Sequence, residues 1–209
     1  MRYWGLALAV LIASPAVASV KEAKADGFWV ESSESVPLPP DQVWEVLRTP
    51  ALWWDADHTY SGDPANMTLE ARAGACFCER TADGGTIEHA RVVYAQAPRM
   101  IRMDGALGPL QAEAVKGTLT FKVDPAEGGS TVTVTYVVGG YMRQGGGELA
   151  PLVDRVLSGQ LSRLAAALRP GEPAPGTSAD ATPVEPEAEA EPELEAPRDP
   201  SVSPDPVGR

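Results

Sequence analysis

Histidine and cysteine are scarce in this sequence, with two of each among 209 residues. A structural zinc site takes about four such ligands, so His58, His89, Cys76 and Cys78 would be the whole supply. No G-x-S-x-G, H-E-x-x-H or P-loop run occurs, and no paired-carboxylate constellation stands out. Those absences set aside the hydrolase elbow, the helical zinc protease and the nucleotide cradle. The glycines of Gly139-Gly140-Tyr141 and Gly145-Gly146-Gly147 do not restore the last, because they lack the strand-Gly-helix context that phosphate binding needs. No metal and no cofactor is expected.

Basic charge is short as well. Seventeen Lys and Arg stand against 29 Asp and Glu, a formal net of −12, whereas nucleic acid demands a basic face. No basic amphipathic helix points to a membrane surface. Long apolar runs are missing too: Leu6 to Ala13 is well below the roughly 20 residues of a membrane-spanning helix. That run follows Met1-Arg2 and precedes Ser14-Pro15-Ala16-Val17-Ala18, with small residues at Ala16 and Ala18. This is the layout of a secretory signal peptide. Cleavage is expected after Ala18, giving a periplasmic or secreted protein with no integral membrane segment in its mature form. No cysteine follows the small residues, so lipid attachment is not expected there.

The other end lacks large apolar side chains. Residues 170–209 hold 10 of the 20 prolines and 10 acidic residues against Arg198 and Arg209. Such a stretch cannot offset the entropy of ordering, and a disordered acidic tail is expected. Residues 19–25 read as a short linker, and residues 26–169 remain as one domain of about 150 residues with a single core.

Within that domain, Asp26 to Leu38 reads as a strand. Pro39-Pro40-Asp41 opens a helix, with Asp41 able to cap it, and Pro50 ends it. A short helical turn is expected through Leu52-Trp53-Trp54. Six strands follow, over 67–72, 75–81, 86–96, 99–105, 116–123 and 130–138, separated by turn signals such as Asp83-Gly84-Gly85 and Ala97-Pro98. Short connections make neighbours antiparallel. The last helix carries Leu149, Leu152, Val153, Val156, Leu157, Leu161, Leu164 and Leu168 as an apolar stripe. Pro151 is placed in its first turn, and Asp154, Arg155, Ser158 and Arg163 on its outer face. The expected fold is α+β: a curved antiparallel sheet of about seven strands, in the order β-α-α-β6-α, gripping a long C-terminal helix.

Particular residues go further. Val36-Pro37-Leu38-Pro39-Pro40-Asp41-Gln42-Val43-Trp44, then Leu52-Trp53-Trp54, resemble the opening of the START-like superfamily. This superfamily is also known as SRPBCC, or the Bet v 1-like helix-grip fold. Gly74 to Glu79, Ala97-Pro98-Arg99, Gly117-Thr118-Leu119-Thr120-Phe121 and Gly129 to Tyr136 fit its later strands in order. The resemblance is to the polyketide cyclase and Hsp90-ATPase-activator-like branch. It implies a cavity between sheet and helix that takes a small hydrophobic or amphipathic ligand.

Candidate residues for that cavity are Trp53, Trp54, Cys76, Cys78, His89, Arg91, Phe121, Tyr136 and Tyr141. Trp53 and Trp54 either clamp a ligand at the mouth or serve as plain core. Cys76 and Cys78 share one side of a strand. They are buried thiols, a strained disulfide or metal ligands, and the sequence leaves all three open. His89 alternates with Ile87, Arg91 and Val93 on one face, which would bring His89 and Arg91 into the cavity together were that face inward. A binding protein or carrier is the leading expectation, on grounds of export, a cavity-type fold and the missing catalytic set. A cyclase, dehydratase or hydrolase using His89, Arg91 and Tyr136 is the alternative. A third is an envelope interaction module working through the surface and tail, its protein partner unidentified.

Overall fold

A computed structural model describes residues 19–169. The expected signal peptide, residues 1–18, and the expected acidic tail, residues 170–209, lie outside the described residues. β1 (Ser19–Lys24) and β2 (Gly27–Val36) form a hairpin; α1 (Pro40–Leu47) and three 3₁₀ turns, at Pro50–Leu52, Ala56–His58 and Pro64–Asn66, follow. Then come β3 (Met67–Leu69), β4 (Cys76–Arg80), β5 (Thr86–Gln96), β6 (Met100–Asp104), a 3₁₀ turn at Gly108–Ala112, β7 (Ala114–Ala126), β8 (Gly129–Tyr141) and α2 (Gly146–Ala167). The eight strands form one open antiparallel sheet in the order β1-β2-β8-β7-β6-β5-β4-β3.

The eighth strand is β1, where a linker was expected. Only Val20 in that stretch is a large apolar residue, and it is exposed, so no two-residue alternation marked it. Backbone pairing from Ser19↔Glu31 to Lys24↔Gly27 makes the strand instead. The central strands behave as their alternation requires. Leu119, Phe121 and Val123 of β7 and Val132, Val134, Tyr136 and Val138 of β8 are all buried. Their threonines take the other face, which is how a sheet with one wet side reads.

The helices differ from expectation in detail. Asp41 does not cap α1: the cap position is Pro39, with no side-chain hydrogen bond, and Asp41 lies in the first turn. A carboxylate there still favours the helix N-terminus. The turn expected at Leu52–Trp54 closes earlier, over Pro50–Leu52. α2 starts at Gly146, so Pro151 sits beyond its first turn. A side chain at Gly146 would strike the backbone carbonyls of Lys24 and Gly27, so glycine lets α2 dock on the β1–β2 turn.

α2 buries Ala150, Leu157, Gln160, Leu161, Leu164 and Ala165, while Leu152 is exposed. Of the residues assigned to its outer face Arg155 is exposed, whereas Asp154, Ser158 and Arg163 line its flanks. Ser158 bonds Ser32 of β2 at 2.7 Å, and Arg163 pairs with Asp55 at 2.9 Å. Asp154 faces the backbone N–H of Ser19. Among the described residues, no helix is long and apolar enough to cross a membrane.

Candidate functional site

The interior between sheet and α2 is occupied by side chains. Trp53 and Trp54 hang from the irregular stretch after α1 and are both buried. Their rings meet edge-on at 5.3 Å; Trp53 also meets Phe121 of β7 at 5.9 Å, and Trp54 meets Phe77 of β4 at 5.2 Å. Each indole N–H is satisfied, Trp53 by the Leu47 carbonyl at 3.2 Å and Trp54 by the His58 carbonyl at 3.0 Å. Leu110, Met142, Leu157 and Leu161 complete the same cluster. The cleft by Trp44, Leu47, Leu69 and Ile101 leaves no room for a water molecule. A groove of about 590 Å³ exists, but on the outer face of the sheet, over Arg102, Thr118, Thr120, Lys122, Thr133 and Thr135.

Within this apolar interior sits one buried ionisable pair. Glu79 of β4 and His89 of β5 meet at 2.9 Å between Oε2 and Nε2, with side-chain exposures of 0% and 4%. Burial pushes the Glu79 carboxyl up, but hydrogen bonds from Ser61, the Tyr60–Ser61 backbone and His89 outweigh it, so it lies below the usual carboxylate range. Burial is also the main influence on His89, and despite the opposing carboxylate it holds the imidazole below its usual value. A neutral imidazole beside a carboxylate donates its Nε2–H to it. The Tyr60 ring covers His89 at 5.9 Å between centroids, and its hydroxyl donates to the Gly108 carbonyl at 3.2 Å. Phe77 packs on the same imidazole at 5.2 Å. The pair is thus closed in by the Tyr60 ring and the Ser61 backbone.

Tyr136 is a separate polar point. Its hydroxyl donates to the Gly105 carbonyl at 2.9 Å and accepts from the Leu107 N–H at 3.1 Å. Burial pushes its phenol up to about 12, the Leu107 hydrogen bond opposing. Both its partners are backbone, so the hydroxyl anchors the Gly105–Leu107 loop.

Other expected cavity residues lie elsewhere. Arg91 is exposed and points outward, bonded to Glu88 and, at 3.0 Å, to the Gly74 carbonyl. His89 and Arg91 therefore do not share a pocket, and the arrangement of His89, Arg91 and Tyr136 around one substrate is not present. The cause is a bulge: Phe77 pairs Ala90 but Cys78 pairs Glu88, leaving His89 as an extra residue that turns inward beside Ala90. Tyr141 is 69% exposed at the end of β8. Cys76 and Cys78 flank the inward Phe77 on the outer face and form a disulfide with Cα atoms 5.3 Å apart. With Glu88 their donor atoms lie within 4.8 Å of one another, but sulfurs bonded to each other are not thiolate ligands.

Sequence reasoning missed Glu79, Tyr60 and Ser61. Glu79 had one usable signal: it stands two residues after Phe77, on the inward side of the strand.

Among curated proteins, no sequence matches this chain. Solved structures share its fold, two of them as follows. One is protein MLL2253 from Mesorhizobium loti, 15% identical, aligned over 67% of this chain and 96% of that one, with a TM-score of 0.50. The other is CalU16 from Micromonospora echinospora, 11% identical over 76% of this chain and 88% of that one, also with a TM-score of 0.50. The sequence profile described as polyketide cyclase / dehydrase and lipid transport matches residues 28–169, well over half the chain, from the start of β2 to the end of α2. The protein belongs to that family.

Proposed function

We propose that this is an exported binding protein for a small hydrophobic or amphipathic molecule, which enters between the sheet and α2 by displacing the Trp53–Trp54 segment. The family supports a ligand of that class. The observation that carries the reading is what fills the space. Two indoles occupy it, and both come from a stretch built of isolated three-residue 3₁₀ turns rather than from the sheet or α2. Such stretches open at lower cost than sheet cores, so the aromatic plug is the natural place for an exchangeable occupant.

Export is supported by Asp154. Its Oδ1 is buried without a hydrogen-bond partner among the described residues, and burial raises its carboxyl, with the Ser19 N–H opposing. Cleavage after Ala18 would turn that N–H into an ammonium at the same place, giving the carboxylate a cation. One experiment addresses both parts: native mass spectrometry of the protein recovered from the exported fraction without detergent. A chain starting at Ser19, carrying an extra mass that leaves on denaturation, is the expected result. An uncleaved chain would overturn export. An unliganded mass, with no change in tryptophan emission on titrating long-chain fatty acids and polycyclic aromatics, would overturn binding.

A second reading, acid–base chemistry of the cyclase or dehydratase kind, draws on the Glu79–His89 pair alone. A carboxylate that orients an imidazole is half of such machinery. Turnover of an aromatic polyketide-type substrate lost in His89→Gln would support it; binding without any turnover would reject it.

A further inference from the structure

The Cys76–Cys78 disulfide closes a loop with one residue between its ends, so it restricts the unfolded chain very little. Its effect is on β4. Two steps along an extended strand cover about 6.4–6.8 Å, yet the two Cα atoms stand 5.3 Å apart. β5 is not shortened to match. Across the segment from Phe77 to Cys78 it runs from Ala90 to Glu88, one residue more than its partner, and that residue is His89. The bulge also reverses which residues of β5 face inward, so that His89 and Ala90 are both buried in succession. The bulged residue is the one that reaches Glu79. The contracted strand, the extra residue and the buried pair are therefore one local unit.

We propose that Cys76 and Cys78 form a thiol–disulfide exchange site, with a dithiol as its reductant, that holds or releases the His89–Glu79 pair on the other side of the sheet. Both sulfurs lie on the outer face and are partly exposed, so a dithiol reaches them without entering the core. Its thiolate attacks one sulfur; the Cys76–Cys78 bond breaks and its electron pair leaves on the other cysteine. The second thiol of the reductant then attacks the mixed disulfide, closing the reductant's own disulfide and releasing the remaining cysteine. The two protons given up by the dithiol end on Cys76 and Cys78. Without the bond β4 regains its full rise, the two-against-one pairing loses the contraction that matches it, and His89 spends less time on Glu79. The inference does not depend on what the interior binds.

The test treats the whole processed chain with millimolar dithiothreitol under native conditions. Alkylation with mass analysis reports the thiols, and proton NMR titration reports the imidazoles. The chain's other histidine, His58, is exposed beside Asp55 and serves as the internal reference, assigned with His58→Gln. The released imidazole gains water, and burial is the main influence holding it down, so the expected result is reduction with the sheet intact and a His89 midpoint that moves up toward about 6.5, the ordinary histidine value. Cys76→Ser/Cys78→Ser should reproduce that shift without any reductant. Three results would overturn the proposal. One is a bond that yields to dithiothreitol only after denaturation. Another is full reduction with the His89 midpoint unmoved in both the reduced chain and the serine variant. The third is loss of the whole fold on reduction, which would make the bond a staple.

Discussion

If residues 1–18 are removed as proposed, the fold should become more stable, and Asp154 should be the reason. Among the described residues the Asp154 carboxyl meets the peptide N–H of Ser19, and Oδ1 has no hydrogen-bond partner. A new ammonium adds a full charge and two further donors at the same point. A hydrogen bond to a charged group contributes about 1.5–3 kcal/mol, and an unmet buried acceptor costs about 1–3 kcal/mol. Asp154 is only half-buried, so solvent screening and the ordering of a chain end bring the expected gain to about 1–2 kcal/mol. For a domain of this size that is a rise of roughly 2–8 °C in Tm. The assay compares a chain beginning at Ser19, released from a removable fusion, with the same chain Nα-acetylated, each with and without Asp154→Asn. Acetylation should lower Tm in the parent and leave the Asn variant nearly unchanged. Equal melting of the two parent forms, or an equal loss in the Asn variant, would refute the argument.

Acid should destabilise the protein in two steps. His89 sits below its unfolded value, so from about pH 6.5 downward the unfolded chain binds more protons and stability falls with pH. Glu79 is also lowered, so its contribution is present above the ordinary glutamate range and is lost on further acidification. Tm measured from pH 8 down to about 3, below the ordinary glutamate range, should show both limbs, and His89→Gln should flatten the upper one. Gly117→Ala should destabilise by about 1–3 kcal/mol, as overpacking does, because a Cβ there would overlap the Tyr136 ring. Urea unfolding checks it, and a loss under 0.5 kcal/mol would mean the Gly105–Leu107 loop moves freely. Trp53→Ala should cost about 3–5 kcal/mol in the unliganded protein. If it exchanges with ligand as proposed, apolar ligands should recover part of that loss.

The large features were legible because they obey simple periods. β7 and β8 alternate cleanly over their central residues, with valines inward and threonines outward, and the leucines of α2 repeat at helical spacing. What was hidden departs from period. β5 holds two bulges, at His89 and near Val93, so its inward residues change phase twice. No alternation count over 86–96 could place His89 and Arg91 on opposite faces. β1 was hidden for the opposite reason: it lies at the sheet edge with little to bury, and its residues carry no pattern to read. Glu79 stands two residues after the inward Phe77, but the face of its partner His89 stayed open until the bulge was known.

The closed interior and the proposed binding role are compatible only for ligands above a certain size. Trp53 and Trp54 are both almost wholly buried, and aromatic side chains of this kind cover about 150–250 Å² each. Exposing one of them costs on the order of 4–6 kcal/mol at about 25 cal/mol per Å². An occupant must return at least that before it shows any affinity. At about 0.8 kcal/mol per buried methylene, roughly six or more are needed to break even against one indole, or a fused aromatic system of comparable area. Small polar metabolites fall below that floor, since the two indole N–H groups already have carbonyl partners and offer nothing new to bond. On the proposed binding mode the aromatic plug would therefore act as a size filter, admitting acyl chains and polycycles and excluding what water solvates well.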